Sequence, residues 1–176
     1  MSRSFDPETL LIGVMGRPHG LHGELSLRPY GGATDLGAIS AVLLERDGTR
    51  REWTLRHARR VADGWLVRFE GVESRTDAEA LTNATVWVPR RTLPPLGPGE
   101  FYVEDLVGCR VETESGAVLG IVQGVFWNGA QDVITVGEEG KKITDDGQIL
   151  IPVVPDFVRL VEPEARRVVV AWENPE

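Results

Sequence analysis

Apolar residues along this chain recur mostly at every second position, the spacing that turns one face of a β-strand into a core. Trp65, Val67 and Phe69 are separated by Leu66 and Arg68, and Val168, Val170 and Trp172 repeat the pattern near the end. Between such segments stand Asp47-Gly48, Asp63-Gly64 and Asp146-Gly147. Each pair predicts a tight hairpin, because Asp and Gly tolerate the positive φ that short turns demand. One short helix is predicted, starting near Ser74 or Thr76 and running through Leu81, with Thr76 and Glu79 at the spacing of a capping box. Asn83 marks its exit, and residues 85–89 return to strand.

Pro89, Pro94, Pro95 and Pro98, with Gly97 and Gly99, break every regular pattern between Val88 and Glu100. Missing N–H groups and a locked φ make this stretch a stiff linker. The 176 residues therefore divide into a first domain at 1–90, a linker at 91–99 and a second domain at 100–176. Both halves read as small antiparallel β structures. Closure into two β-barrels is expected, since it removes exposed strand edges, and the fold class is all-β with one short helix.

Composition adds limits. Apolar residues at 41% and charged residues at 26% are those of a chain that buries a core. No apolar run reaches the roughly 20 residues that span a bilayer, and residues 1–8 are polar, so neither a signal peptide nor a membrane anchor is expected. Cys109 is the only cysteine, which excludes an internal disulfide and fits the cytoplasm. It alternates with Val107 and Val111, as an ordinary buried side chain would.

The net charge of −8 is unevenly spread. Residues 1–96 hold 13 Arg, no Lys and 12 acids; residues 97–176 hold 6 basic and 15 acidic residues, a net −9. The second half is expected to attract basic partners and repel bare nucleic acid, although acidity serves solubility as well. In the first half, Arg50-Arg51, Arg56, Arg59-Arg60 and Arg90-Arg91 leave two readings open, a mixed solvated surface or an RNA face. The guanidinium fork suits phosphate, and position in the fold decides between them.

Candidate chemistry is sparse. A loop from Gly16 to Glu24, between strands at 10–15 and 24–28, carries His19 and His22 beside Glu24. A metal-dependent hydrolase at these three residues is an alternative, weakened because no further His or Cys ligand is apparent and His57 lies in another hairpin. The simpler reading is a tight connection needing unusual φ at Gly20 or Gly23. No phosphate-binding glycine loop is present, and the two lysines, Lys141 and Lys142, lie in the acidic half, so no cofactor is expected. Glu104-Asp105, Glu138-Glu139 and Asp145-Asp146 are sequence neighbours, which on a strand face opposite ways and form no acid/base couple. Asp105 is expected to tie the backbone through its side chain.

Specific residues then accumulate in order. Ile12-Gly13 with His19 to Leu25 resembles the N-terminal signature of the bacterial ribosome maturation factor RimM family. Phe101-Tyr102 leading to Asp105-Leu106-Val107-Gly108, then Gly129 to Val133, then Ile149 to Pro152, extend the likeness over nearly the whole chain. The resemblance implies a translation-factor type β-barrel followed by a PRC barrel. It implies no catalysis, but late assembly of the small ribosomal subunit, through binding of a basic ribosomal protein of its head and promotion of rRNA maturation nearby. A cytoplasmic monomer is expected.

In that family an adjacent aromatic pair, usually two tyrosines, is associated with ribosome binding, and Phe101 and Tyr102 match it. If they begin a strand, Phe101 shares a face with Val103 and Tyr102 with Glu104. Tyr102, with Glu104 beside it, is then the exposed partner-binding anchor, and Phe101 fills the core or groove beneath. Gly20, Gly23, Asp105, Gly108, Gly129, Asp132 and Pro152 match the structural motif. His22 stands where the family commonly has a basic residue between its glycines, with Arg17 placed to compensate. Arg17, His19, His22, Arg50 and Arg51 are the expected rRNA contacts.

Overall fold

The computed structural model describes residues 5–31, 35–141 and 147–172. Lys142 and the Asp145-Asp146 pair, and with them the first residue of the Asp146-Gly147 turn, lie outside the described residues. The chain forms two compact units, one of Pro7–Pro94 and one holding the residues from Pro95 on.

The first unit contains β1 (Thr9–His19), β2 (Glu24–Pro29), β3 (Ala41–Arg46), β4 (Thr49–Val61), β5 (Gly64–Phe69), a helix α1 (Arg75–Glu79) and β6 (Thr85–Pro89). The strands close into a barrel in the order β1-β2-β5-β4-β3-β6, with β1 pairing both β2 and β6. Alternation fills its interior: Leu25 lies opposite Val67 and Leu27 opposite Trp65, all buried. Burying each such side chain contributes about 1.5–3 kcal/mol. Leu66 is buried too, although it sits in register with Ser26 rather than with the core residues.

Local signals set the connections. Asp47 and Gly48, at φ 52 and 77, turn β3 into β4, the two positive φ values being those of a tight hairpin. The β4–β5 turn is Ala62-Asp63, with Gly64 already opening β5. Ser74 caps α1 and forms a capping box with Asp77, where the spacing had suggested Thr76 and Glu79. Thr76 lies inside the five-residue helix, so it has no open backbone end to cap. Asn83, at φ 66, ends the segment. Beyond Pro89 a 3-10 turn at Arg90–Thr92 continues the first unit, with Arg90 N–H donating to Glu8 O at 2.9 Å. Residues 91–93, expected in the linker, thus belong to that unit.

The second unit contains a 3-10 turn (Val103–Leu106), then β7 (Arg110–Thr113), β8 (Val118–Trp127), β9 (Asp132–Gly137), β10 (Ile149–Pro152), β11 (Val158–Glu162) and β12 (Arg167–Val170). Their order is β10-β9-β8-β7-β12-β11. All neighbours are antiparallel except β7 and β12, which run parallel, so the expected wholly antiparallel sheet is corrected here. A parallel pair cannot be joined by a hairpin, and four strands intervene between these two. Val168, Val169 and Val170 of β12 are all buried instead of alternating, so side chains on both faces of this strand are covered. Leu106, Cys109, Val111, Ile134, Val136 and Ile151 complete this core. Burial pushes the Cys109 thiol above its ordinary pKa, which leaves it a packing side chain.

Candidate functional site

Phe101 and Tyr102 follow a turn that ties itself: Glu100 N–H donates to Gly97 O at 3.1 Å, and the Glu100 carboxylate accepts from Gly97 N–H at 2.8 Å. No strand follows. Asp105 N–H donates to Tyr102 O at 3.0 Å, opening the 3-10 turn. With three residues per turn, Val103 and Leu106 stack on one side and both enter the core. The expected alternation of Phe101 with Val103 and Tyr102 with Glu104 is therefore corrected. Phe101 and Tyr102 are each half-buried, and Glu104, expected to be exposed beside Tyr102, is buried at 6%.

Asp105 is also buried, and its backbone carbonyl is a node, accepting from Cys109 Sγ at 3.4 Å and from Arg166 Nη1 at 3.3 Å. Arg166 Nη2 donates to Val107 O at 2.7 Å. The guanidinium thus clasps the turn that carries Phe101 and Tyr102, beside two buried acids. Sequence reasoning missed Arg166; the available signal was a cation within an acidic half, three residues after Pro163.

Phe101 lines a groove of about 530 Å³ together with the apolar Val154, Pro155, Val158, Leu160 and Pro163 and the charged Glu100 and Arg159. The groove runs beside β11, which stands at one end of the sheet order and leaves Leu160 43% exposed. Phe157, exposed at the edge strand's start, packs its ring on Trp172 with centroids 6.4 Å apart. Tyr102 is not part of the groove wall, so the aromatic pair divides.

Most cations of the second unit are engaged by its own acids. Glu112 holds Arg110 at 3.1 Å and Arg167 at 3.2 Å, Arg167 also reaches Glu162, and Arg159 faces Glu114 at 3.6 Å. The hydrogen bonds that Arg167 donates to Glu112 and Glu162 raise its pKa further. Lys141 pairs with Glu138. Glu139, Asp156 and Glu164 have no ion-pair partner among the described residues, and Asp156 adjoins the groove residue Pro155. The remaining motif residues shape turns: Gly108 at φ 83 precedes β7, and Gly129 at φ 100 lies in the β8–β9 turn, where Asn128 Oδ1 accepts from Ala130 and Gln131. Asp132 O accepts from Val153 N–H at 2.8 Å, next to Pro152 at the end of β10.

In the first unit the expected Gly16–Glu24 loop is shorter. β1 continues to His19, which lies opposite Glu24, with a bulge between Met15 and Pro18 that accommodates the proline. The turn is residues 20–23, with Gly20 at φ 69 and Gly23 at φ 84. A Cβ on Gly23 would lie 2.1 Å from Val72 O, so only glycine fits there. Leu21 and His22 form the exposed tip. Among the described residues no group of three or more His, Cys, Asp or Glu is placed to hold a metal, so His19, His22 and Glu24 do not converge.

Arg17 and His19 are exposed on β1. Arg50 is committed elsewhere: it pairs with Glu45 at 2.8 Å, reaches Thr9 Oγ1 at 3.2 Å and stacks 4.1 Å over the Trp87 ring. Arg51 lies 5.0 Å over Trp53. Among the described residues no helix is long and apolar enough to cross a membrane.

Comparison with known proteins gives a consistent pattern. The RimM N-terminal domain model matches residues 10–93 and the RimM PRC barrel domain model residues 103–174. Ribosome maturation factor RimM of Sorangium cellulosum (strain So ce56) is 37% identical over 173 residues, covering 97% of this chain and 96% of that protein. Its counterpart in Xylella fastidiosa (strain M23) is 36% identical over 167 residues, covering 93% and 94%. Among solved structures, a 16S ribosomal RNA processing protein RimM from Pseudomonas aeruginosa is 23% identical with a TM-score of 0.46, covering 94% of this chain and 98% of that one. The N-terminal domain of RimM from Thermus thermophilus is 30% identical over 51% of this chain and 98% of its own, with a TM-score of 0.43.

Proposed function

The chain belongs to the RimM family of ribosome maturation factors, and from that premise we propose that it captures a basic ribosomal protein of the small-subunit head and promotes late small-subunit maturation and rRNA processing. It acts in the cytoplasm as a monomer, by placement, with no bond made or broken. The observation that carries this reading is the Phe101 groove: a largely apolar lining, with Glu100 and the Glu114-facing Arg159 as its charged members, on a unit whose residues 97–176 bear 15 acids against 6 bases. Unpaired acids steer a basic partner to the surface, and the apolar contact then holds it. An aromatic anchor of this kind contributes on the order of 2 kcal/mol, about 30-fold in affinity.

The test is capture of immature small subunits by Phe101→Ala/Tyr102→Ala. The variant is expected to keep its circular dichroism spectrum and to lose most of its capture, and crosslinking of the wild type is expected to recover a head protein. A folded variant that captures precursors like the wild type would sink the groove as the docking site.

A further inference from the structure

The closed barrel of the first unit collects on one face residues that are scattered in the sequence. His57 on β4 lies opposite Arg68 on β5, Arg68 opposite Glu24 on β2, and Glu24 opposite His19 on β1. Residues directly opposite on paired strands share a face. This one points outward, since the flanking Val67 and Leu25 are fully buried. In the next row Arg59 lies opposite Leu66 and Leu66 opposite Ser26. There Arg17 occupies the β1 bulge, its carbonyl accepting from Ser26 Oγ at 3.2 Å and its own side chain exposed.

Charge on this face is unevenly neutralised. Glu24 is engaged by Arg59 at 3.6 Å, and Glu70 by Arg56. Arg17, Arg68, His19 and His57 have no acidic partner among the described residues. A polar concavity of about 670 Å³ is lined by Arg56, His57, Arg68, Glu70 and Glu73, and of its two carboxylates Glu70 is paired with Arg56 while Glu73 has no ion pair among the described residues. The rows cross four strands, roughly 15 Å at the ~4.8 Å inter-strand spacing, which is room for several phosphates of one strand. No exposed large apolar side chain lies in these rows, and the one beside them is Leu21 at the β1–β2 tip.

We propose that the outer face of β1, β2, β5 and β4 is a phosphate-binding face for ribosomal RNA, in which Arg17 and Arg68 grip the backbone, Arg59 flanks them, and His19 and His57 add hydrogen bonds. The proposal rests on the family's place on the ribosome and is independent of the Phe101 groove. Guanidinium forks match phosphate oxygens two at a time, and two unpaired forks on one rigid barrel are preorganised to do so.

The test measures binding of a transcript of the small-subunit rRNA head domain to the full chain at several salt concentrations. Arg17→Gln/Arg68→Gln is expected to weaken binding about tenfold or more and to lower the log–log salt slope by about 2, one phosphate per arginine. Arg17→Lys/Arg68→Lys is expected to restore the slope without restoring full affinity. Phe101→Ala/Tyr102→Ala is expected to leave the slope in place, which separates this proposal from the groove. An unchanged slope in the glutamine variant overturns the proposal. So does a loss that instead follows Arg50→Gln/Arg51→Gln, or a loss seen with whole precursors but not with naked RNA, which would mark a protein contact.

Discussion

Arg166 Nη2 donates to the carbonyl of Val107 at 2.7 Å across 59 positions of sequence, and this bond fixes the turn ahead of β7. Arg166 does so from a left-handed backbone at φ 57, a conformation disfavoured by roughly 1–2 kcal/mol for a residue with a Cβ. Arg166→Ala keeps that strain and loses bonds to two carbonyls, so it is expected to cost about 2–3 kcal/mol in the second unit. Arg166→Gly loses the same bonds and sheds the strain, and should be more stable than the alanine variant by about 1 kcal/mol. Urea unfolding of both reads the difference, and an alanine variant as stable as wild type would remove the clasp from the account.

Gly23 and Gly20 share positive φ but not surroundings. A Cβ at Gly23 meets Val72 O at 2.1 Å, whereas one at Gly20 meets nothing within 4 Å. Gly20→Ala therefore costs only the left-handed backbone, about 1 kcal/mol, or about 4–8 °C in Tm for a unit of this size. Gly23→Ala adds a clash with a backbone atom and is expected to cost at least about 3 kcal/mol. Equal melting temperatures for the two variants would contradict the close approach to Val72.

Asp77 receives hydrogen bonds from Ser74 Oγ at 2.7 Å, Ser74 N–H at 3.1 Å and Glu73 N–H at 3.3 Å. These bonds, the Ser74 side chain's first, hold its carboxyl below the ordinary aspartate range. A folded pKa below the unfolded one means that the cap is fully effective above about pH 4, the unfolded value, and is lost as pH falls through the folded one. Ser74→Ala removes the largest cause, so the Asp77 titration midpoint should rise and the acid dependence of the first unit should flatten. NMR titration of the Asp77 carboxyl in both proteins measures this; coincident midpoints would show that the side-chain bond is not the cause.

What was legible in the sequence followed from local period. Trp65, Val67 and Phe69 are buried where alternation put them, and Asp47-Gly48 turns where its φ tolerance predicted. The segment after Tyr102 failed because two periods compete there: Val103 and Leu106 lie three apart, and it is that spacing, not alternation, that meets the core. The parallel pairing of β7 with β12 has no local signature, because pairing between distant strands is set by the whole sheet. The face joining His57, Arg68, Glu24 and His19 was illegible for the same reason. Their spacing in sequence is irregular, and only the register of four strands, with the bulge before Pro18, aligns them.

The groove separates the two aromatic residues that the sequence presents as a unit. Phe101 lines it and Tyr102 does not, although both are half-buried. If the groove is the docking site, Phe101→Ala alone should weaken capture of small-subunit precursors by about 30-fold, the value of one aromatic anchor. Phe101→Leu should recover part of that loss, since it restores apolar area without the ring. Tyr102→Phe keeps the ring ahead of the 3-10 turn and should cost less than about threefold, because groove contact does not depend on its hydroxyl. Affinity of the three single variants for purified precursors ranks them, and a larger loss for Tyr102→Phe than for Phe101→Ala would move the docking surface from the groove to the tyrosine hydroxyl.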